Sequence, residues 1–195
     1  MKKNNFLKSF TVMIFWVCFV SFHFAWGQGS ETFQTQTSLT ASYANGSFSS
    51  ETAGVTINYV HSRNEGLVTA DDYSITGKGI MLRRADEPSS VTFVIPNGVG
   101  TFSFDARKAF TGGTNNRSLA IYANGALIYT TPTFGTAGAD TTVHSFSVDV
   151  NLSGAVSILI TYPEGTADGN RQITIDNVVW TAYSDEEPEN PPVVS

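Results

Sequence analysis

The stretch RQITIDNVVW, Arg171 to Trp180, sets a carboxylate and an amide, Asp176 and Asn177, inside a run that otherwise alternates like a strand. Both are poor strand formers, so their presence asks for a chemical or structural reason. Three are open. The carboxylate could cap nearby backbone amides, it could act as a catalytic acid or base, or it could be a hard oxygen ligand for calcium. Catalysis wants a partner that no neighbouring residue supplies. Calcium wants a second acid, and Glu31, in SETFQT at the opening of the first strand, is the candidate, because the first and last strands of a sandwich are often neighbours.

Other catalytic sets are missing from the pattern. His61 and His144 lie in strand-like runs and form no H-x-x-x-H pair. No G-x-S-x-G elbow or phosphate loop occurs, and the glycines of GKGIML and FTGGTNN precede no helix. Asp71-Asp72 and Asp86-Glu87 are adjacent pairs in polar loops, and adjacent strand residues point to opposite faces, so neither pair straddles a bond. Asp105, in FSFDARKAF, shares a face with Thr101, Ser103 and Arg107, which reads as a solvated surface.

Sugar binding is a further possibility, because exposed rings stack on the apolar faces of sugars while polar neighbours hydrogen-bond their hydroxyls. Tyr59, Phe134, Tyr129 and Trp180 are candidate rings, with Arg107, Lys108 and Arg117 beside them in or near loops. The alternative is that these rings are core, as most are in a sandwich.

The elements that must position these residues are strands. Short alternating runs, Gly54–Val60, Gly79–Arg84, Val91–Ile95, Gly100–Arg107, Ser118–Thr131, Val143–Val150, Ala155–Tyr162 and Arg171–Trp180, are separated by Gly, Asn, Asp and Pro. ETF and LTASY near the start add one or two more. Nine or ten strands without helical periodicity predict an all-β antiparallel sandwich of the jelly-roll kind. Asn124-Gly125 reads as a type I′ hairpin turn, and IPNGVG and VNLSGAV as two further turns.

The ends are not part of that fold. Lys2, Lys3 and Lys8 precede an apolar run from Phe10 to Trp26, then small residues in AWGQG, which predicts a secretory signal over residues 1–27. The run is at the low edge of the ~17–25 residues that span a bilayer, and His23 lies within it. Residues 28–183 then form one domain, and SDEEPENPPVVS, residues 184–195, is an acidic, proline-rich linker or tail. A linker is expected to lead into further domains of a longer secreted protein, whereas a vestigial tail would belong to a short version of it. The protein is expected outside the cell or on its surface, with no membrane association once the signal is removed.

Cys18 is the one cysteine and lies in the apolar run, so the exported chain has no disulfide, thiol nucleophile or cysteine metal site. Its stability must come from its core or from a bound ion. Without Lys2, Lys3 and Lys8, eight basic residues face 17 acidic ones, a net charge of −9. That balance argues against nucleic acid or anionic membrane as partners.

ETF at the start and ITIDNVVW at the end resemble the jelly-roll carbohydrate-binding and adhesin-type domains of secreted bacterial proteins. The segments SYANGSF, GKGIMLR, GVGTFSFDARKAFTGGTNNRSLAIYANG and RQITIDNVVWTAY are similar to a domain common in exported proteins of Bacteroidetes-type bacteria. The likeness runs through most of Glu31 to Tyr183, and departs where relatives carry Trp after G-[VI]-T and this chain has GVTIN with Asn58. It implies a jelly roll, and a structural calcium held by Glu31 and Asp176. The likeness carries no substrate; the all-β pattern, the missing catalytic sets and the linker lead to the first expectation, a non-catalytic module directed at polysaccharide or cell-surface glycan, with Tyr59, Arg107, Lys108, Arg117 and Phe134 as ligand-binding candidates. Such domains also stand before nucleases and other enzymes, so an accessory role for a downstream hydrolase or nuclease is the second expectation. Asn177 is then expected to shape the turn or bulge that returns Asp176 to Glu31.

Overall fold

A computed structural model describes residues 27–67, 73–85, 88–111, 117–167 and 169–185. The apolar leader up to Trp26, the pairs Asp71-Asp72 and Asp86-Glu87, and the tail beyond Asp185 lie outside the described residues.

Among the described residues, eleven strands form one antiparallel network. They are β1 (Gly29–Glu31), β2 (Ala44–Ser49), β3 (Thr56–Glu65), β4 (Gly79–Leu82), β5 (Ser90–Ile95) and β6 (Val99–Lys108), then β7 (Ala120–Ala123), β8 (Ala126–Thr130), β9 (Val143–Leu152), β10 (Val156–Thr161) and β11 (Ile173–Trp180). The order is β8-β7-β10-β5-β3-β4-β11-β6-β9, with β2 also on β3 and β1 also on β11. The network turns over within β3. Thr56 to Val60 pair with β5, whereas Ser62 to Glu65 pair with β4. Between them His61 takes a left-handed φ of 43°, and its amide donates to Asn45 Oδ1.

That bend makes two facing layers, the sandwich that the alternating runs predict. Val91, Phe93 and Ile95 of β5, and Val156, Ile158 and Ile160 of β10, point inward from the first layer. Phe102, Phe104 and Ala106 of β6, with Ile173, Ile175, Val178 and Trp180 of β11, answer from the second. Phe93 meets Phe102 edge-on at 5.4 Å and Trp180 at 6.5 Å, although β5 is hydrogen-bonded to neither β6 nor β11. Each buried ring contributes about 1.5–3 kcal/mol of transfer free energy, so this aromatic seam holds the layers together.

Two expectations about connections change. Asn124-Gly125 is the predicted hairpin turn, with φ of 47° and 83° joining the paired strands β7 and β8. IPNGVG and VNLSGAV are turns too, but β5 does not pair with β6, nor β9 with β10. Both carry the chain from one layer to the other. LTASY is not a strand; β2 begins after it, at Ala44.

Candidate functional site

The second layer has an outward face built of two residue rows in register. Arg63, Met81, Thr174, Arg107 and Val143 lie across β3, β4, β11, β6 and β9. In the second row Glu65 pairs with Gly79, while Asp176 pairs with Asp105 and Asp105 with Ser145. Side chains of cross-strand partners share a face, and the intervening positions, Leu82, Ile173, Ile80, Ile175 and Ala106, are core. The outward face therefore collects most of the charge in this layer.

Residues 73–76 lie across it. Tyr73 N donates to Glu65 Oε2 at 3.0 Å, Arg107 Nη1 donates to Ser74 O at 2.7 Å, and Thr76 N donates to Asp176 Oδ2 at 3.0 Å. The segment is thus pinned to β3, β6 and β11 together. This cover is why Met81, Thr174 and Asp176 are fully buried on what is otherwise the wet side of a sheet. Thr174 Oγ1 and Arg107 Nε lie beneath it without a hydrogen-bond partner.

At one end of the face the charges are acidic. The register of β11 on β6 shifts between Asp176 and Val179, and Asn177 sits there with a left-handed φ of 50°. Asparagine tolerates this conformation better than any β-branched residue, so the expected bulge-forming role is what the backbone displays. Asn177 Nδ2 donates to Asp105 Oδ2 at 2.9 Å, and Asn177 N to Asp176 Oδ1 at 2.7 Å. Burial pushes the Asp176 carboxyl up to about 6; the Asn177 and Thr76 amides oppose the rise, while the charges of Asp105 and Glu51 add to it.

Glu31, at the end of β1, is also fully buried and accepts from Phe33 N at 2.7 Å and Glu51 N at 3.0 Å. Burial raises its pKa against those bonds. Glu51, which the sequence reading did not single out, acts electrostatically on both Glu31 and Asp176. Burial raises its own carboxyl as well, but the hydroxyl and amides of Thr32 and the amides of Thr35 and Gln34 outweigh that and hold it below the usual range. Beside these acids Gln34 Nε2 donates to three carbonyls, those of Thr32, Thr76 and Lys78, at 2.9, 2.8 and 3.1 Å.

The carboxylates and carbonyls gathered here are oxygens of the kind calcium takes, and among the described residues no lysine or arginine hydrogen-bonds to Glu31 or Asp176. Yet among the described residues no three His, Cys, Asp or Glu side chains form a group that could hold a metal. The oxygen chemistry fits an ion that takes carbonyls along with carboxylates, and does not fit an all-carboxylate cage. Glu31 is in register with Val178 rather than Asp176.

At the other end of the face the charges are basic and stacked on rings. Tyr73 and Phe110 lie 4.4 Å apart. The Arg63 guanidinium is 5.4 Å from the Phe110 ring and 5.1 Å from that of Tyr43, and the Arg83 guanidinium is 5.4 Å from Tyr43. The result is a continuous ladder, Tyr73–Phe110–Arg63–Tyr43–Arg83, drawn from five separate segments of chain. Arg63 Nε also donates to Glu65 Oε1 at 2.6 Å. Tyr43 OH contacts Met81 Sδ at 3.1 Å, and burial raises the Tyr43 pKa, opposed by the charges of Arg63, Arg83 and Arg84. Phe110 holds its ring in the ladder with a left-handed φ of 59°. For an aromatic residue that is strain of about 1–3 kcal/mol.

The residues expected from sequence to bind ligand are placed elsewhere, apart from Arg107. Tyr59 is 5% exposed and its hydroxyl donates to Ser38 O at 3.4 Å. Phe134 is buried against His144 and Phe146. Lys108 continues the inward alternation of Phe102, Phe104 and Ala106, so its ammonium lies inside and donates to the carbonyls of Thr136 and Gly138. Arg117 is fully buried, with Nε on Gln172 O and Nη2 on Ala109 O, each at 3.0 Å. Burial lowers the pKa of both. Trp180 is core as well. None of these buried groups can present a flat surface to an external sugar, and their polar atoms tie down backbone.

No protein-family model and no curated protein matches the sequence. Solved structures do match in fold. The K2 cleaved adhesin domain of Lys-gingipain aligns over 79% of this chain and 99% of its own, at 12% identity and a TM-score of 0.50. The xylan-binding domain of carbohydrate-binding module family 22 aligns over 80% and 95%, at 12% identity and a TM-score of 0.47. The family 36 module in complex with calcium and xylotriose aligns over 66% and 94%, at 14% identity and a TM-score of 0.44. The likeness to the adhesin domain is one of fold alone.

Proposed function

We propose that this chain is a non-catalytic binding module that attaches an exported protein to polysaccharide or cell-surface glycan, and that calcium stiffens the corner around Glu31 and Asp176. The observation that carries the first half is the ladder of rings and guanidiniums on the outward face. Rings provide apolar planes for the C–H faces of sugars, and arginine edges provide donors for their oxygens. An aromatic residue kept in a strained backbone conformation is costly in a merely structural loop, and such outliers cluster at binding sites. The sandwich fold shared with an adhesin domain is in keeping with this reading.

The second half is supported by the buried carboxylates of Glu31 and Asp176 and the exposed Glu51 that repels both. Glu31, Glu51 and Asp176, with the carbonyls of Thr76 or Lys78, are the residues that would hold the ion. When bound, calcium would neutralise their charge and tie β1, β11 and the segment before β4 together.

Retention on a panel of insoluble and soluble polysaccharides, with calcium present, tests the binding role. Wild-type protein is expected to be retarded on at least one matrix, and Phe110→Gly to lose that retardation while still melting cooperatively. Absence of retention on every matrix counts against the module reading. For calcium, a chelator is expected to lower the melting temperature by several degrees, through loss of an ion that binds the native state alone, and Asp176→Ala to erase the difference. Equal melting with and without chelator in the wild type removes the ion.

A further inference from the structure

The outward face of the first layer is free of charged side chains, and we propose that two copies of this chain associate through it, face to face. In such a pair the two ladders lie on opposite outer surfaces, so the pair links two glycan chains rather than gripping one. That consequence rests on the ladder being the glycan site; the association itself does not.

The contrast between the layers is the first ground. The first layer runs in the order β2-β3-β5-β10-β7-β8, with β3 contributing Thr56 to Val60, and its strands contain no Asp, Glu, Lys, Arg or His. Every Asp, Glu, Lys and Arg of the described strands lies in the second layer or in β1, which joins it at β11. After Gly27, eight basic residues face 17 acidic ones, so copies of the chain repel each other where their charged surfaces meet. Of the two sheet faces, the first layer's is the one on which two copies can touch without that repulsion.

The second ground is what the face presents. Leu127, Tyr122, Leu159, Thr92, Asn58 and Ser47 form one row in register across its strands. Ser157, Val94, Thr56 and Ser49 form the next, while the intervening Ile121, Ile158, Phe93 and Ile57 are core. Leu127 is 56% exposed and Val94 39%, and with the half-buried Tyr122 and Leu159 they make an apolar patch toward β8. A two-fold axis in the plane of contact sets this patch against its own copy, with the sheets about 10 Å apart, as stacked sheets are. Tyr122 is the one ring in the two rows, whereas the ladder gathers three. Sugars stack on rings, so this face suits a second protein sheet better than a glycan. At roughly 25 by 17 Å it is small for a specific interface, and the pair is expected to form at roughly 10–100 µM.

The test is sedimentation velocity of the protein from ~5 to ~500 µM. Wild type is expected to pass from one copy to two, and more readily as salt screens the net negative charge. Leu127→Lys and Val94→Lys are each expected to weaken association roughly tenfold, because each puts an unpaired charge into the contact. Val179→Lys, which adds the same charge at 46% exposure on the second layer, is expected to leave it unchanged. Leu127→Ser repeats the test without a charge, and thermal melts show that each variant is folded. A wild type that stays single at every concentration overturns the inference; if Leu127→Lys then loses retention on polysaccharide, the face is a glycan platform instead. Loss of the pair on Val179→Lys but not on Leu127→Lys overturns it also, by placing the contact on the second layer. Where the pair forms, wild type is expected to cross-link a soluble form of the polysaccharide that retains it, read as turbidity, and Leu127→Lys to bind without cross-linking. Binding without turbidity in the wild type overturns the bridging. A pair that forms but binds no polysaccharide removes the ladder reading and leaves the association standing.

Discussion

The two ends of the outward face hold charge in opposite ways. At the acidic end, Glu31, Glu51 and Asp176 are closed in by backbone amides, which occupy carboxylate lone pairs and fix the chain around them. At the basic end, the guanidiniums of Arg63 and Arg83 lie against rings, which cover their planes. Amides consume the hydrogen-bonding capacity of a charge, whereas rings merely aim it. The first arrangement serves the fold, and the second is suited to a ligand. Variants at the acidic end should therefore act on stability, and variants of the ladder on binding.

The largest effect is expected from Glu31→Ala. It removes a buried acceptor and strands the amides of Phe33 and Glu51, costing about 3 kcal/mol, readable as a lower urea midpoint. A change below about 1 kcal/mol would mean that the acidic corner is not structural.

Next comes pH. The native Asp176 carboxyl sits at about 6, above its ordinary value of 3.8. A raised acid favours the protonated native state, so its penalty is absent below the ordinary value and builds as pH climbs through the window between the two. Without calcium, stability should fall by up to ~3 kcal/mol across that window, and Asp176→Asn should flatten the profile. Saturating calcium should do the same in the wild type. An apo profile that rises over the same window would contradict the buried, unneutralised acid.

Asn177 sharpens the comparison further. With a φ of 50°, Asn177→Val should cost about 1–3 kcal/mol. Asn177→Gly should cost less, since glycine adopts that conformation freely and only the bond to Asp105 is lost. Smallest in stability is Phe110→Gly, where relief of strain offsets a lost half-buried ring to within about 1 kcal/mol, although it should abolish glycan binding. Equal losses of stability at Phe110 and Glu31 would erase the distinction between the two ends.

Much of the layer architecture was legible in the sequence because it rests on period-two alternation. Val91, Phe93 and Ile95 read as an inward set, and so they are. Where alternation carried no contrast it misled. The second half of β3, SRNE, shows no apolar face, because Ser62 and Asn64 point inward while Arg63 and Glu65 point outward under cover. Lys108 has the inward parity of its neighbours, yet its charge suggested solvent. The same letters also served two geometries. Asn124-Gly125 closes a hairpin, whereas Asn97-Gly98 crosses between layers, a difference of strand pairing that no local signal records.

The candidate site was legible at one end only. Asp176 and Asn177 stood out as polar residues in a strand, and their roles at the bulge follow from that misfit. Glu51 did not, since it follows a strand, β2, that has few apolar residues. The ladder was invisible, because Tyr43, Arg63, Tyr73, Arg83 and Phe110 lie in different segments and meet only through tertiary packing. Arg107 lies half-buried beneath residues 73–76, bonded to Ser74 O, while Tyr59, Lys108, Arg117 and Phe134 are interior.

The central claim is that the ladder meets the glycan. Its most direct test is a titration of the protein, labelled at its aromatic and arginine side chains, with a soluble oligosaccharide of the matrix that retains it, followed by NMR. The account predicts that the ring signals of Tyr43, Tyr73 and Phe110 and the guanidinium signals of Arg63 and Arg83 shift together with one dissociation constant, while those of Phe134 and Arg117 stay in place. Shifts centred on Phe134, Arg117 or the loops around β8, with the ladder unmoved, would contradict it.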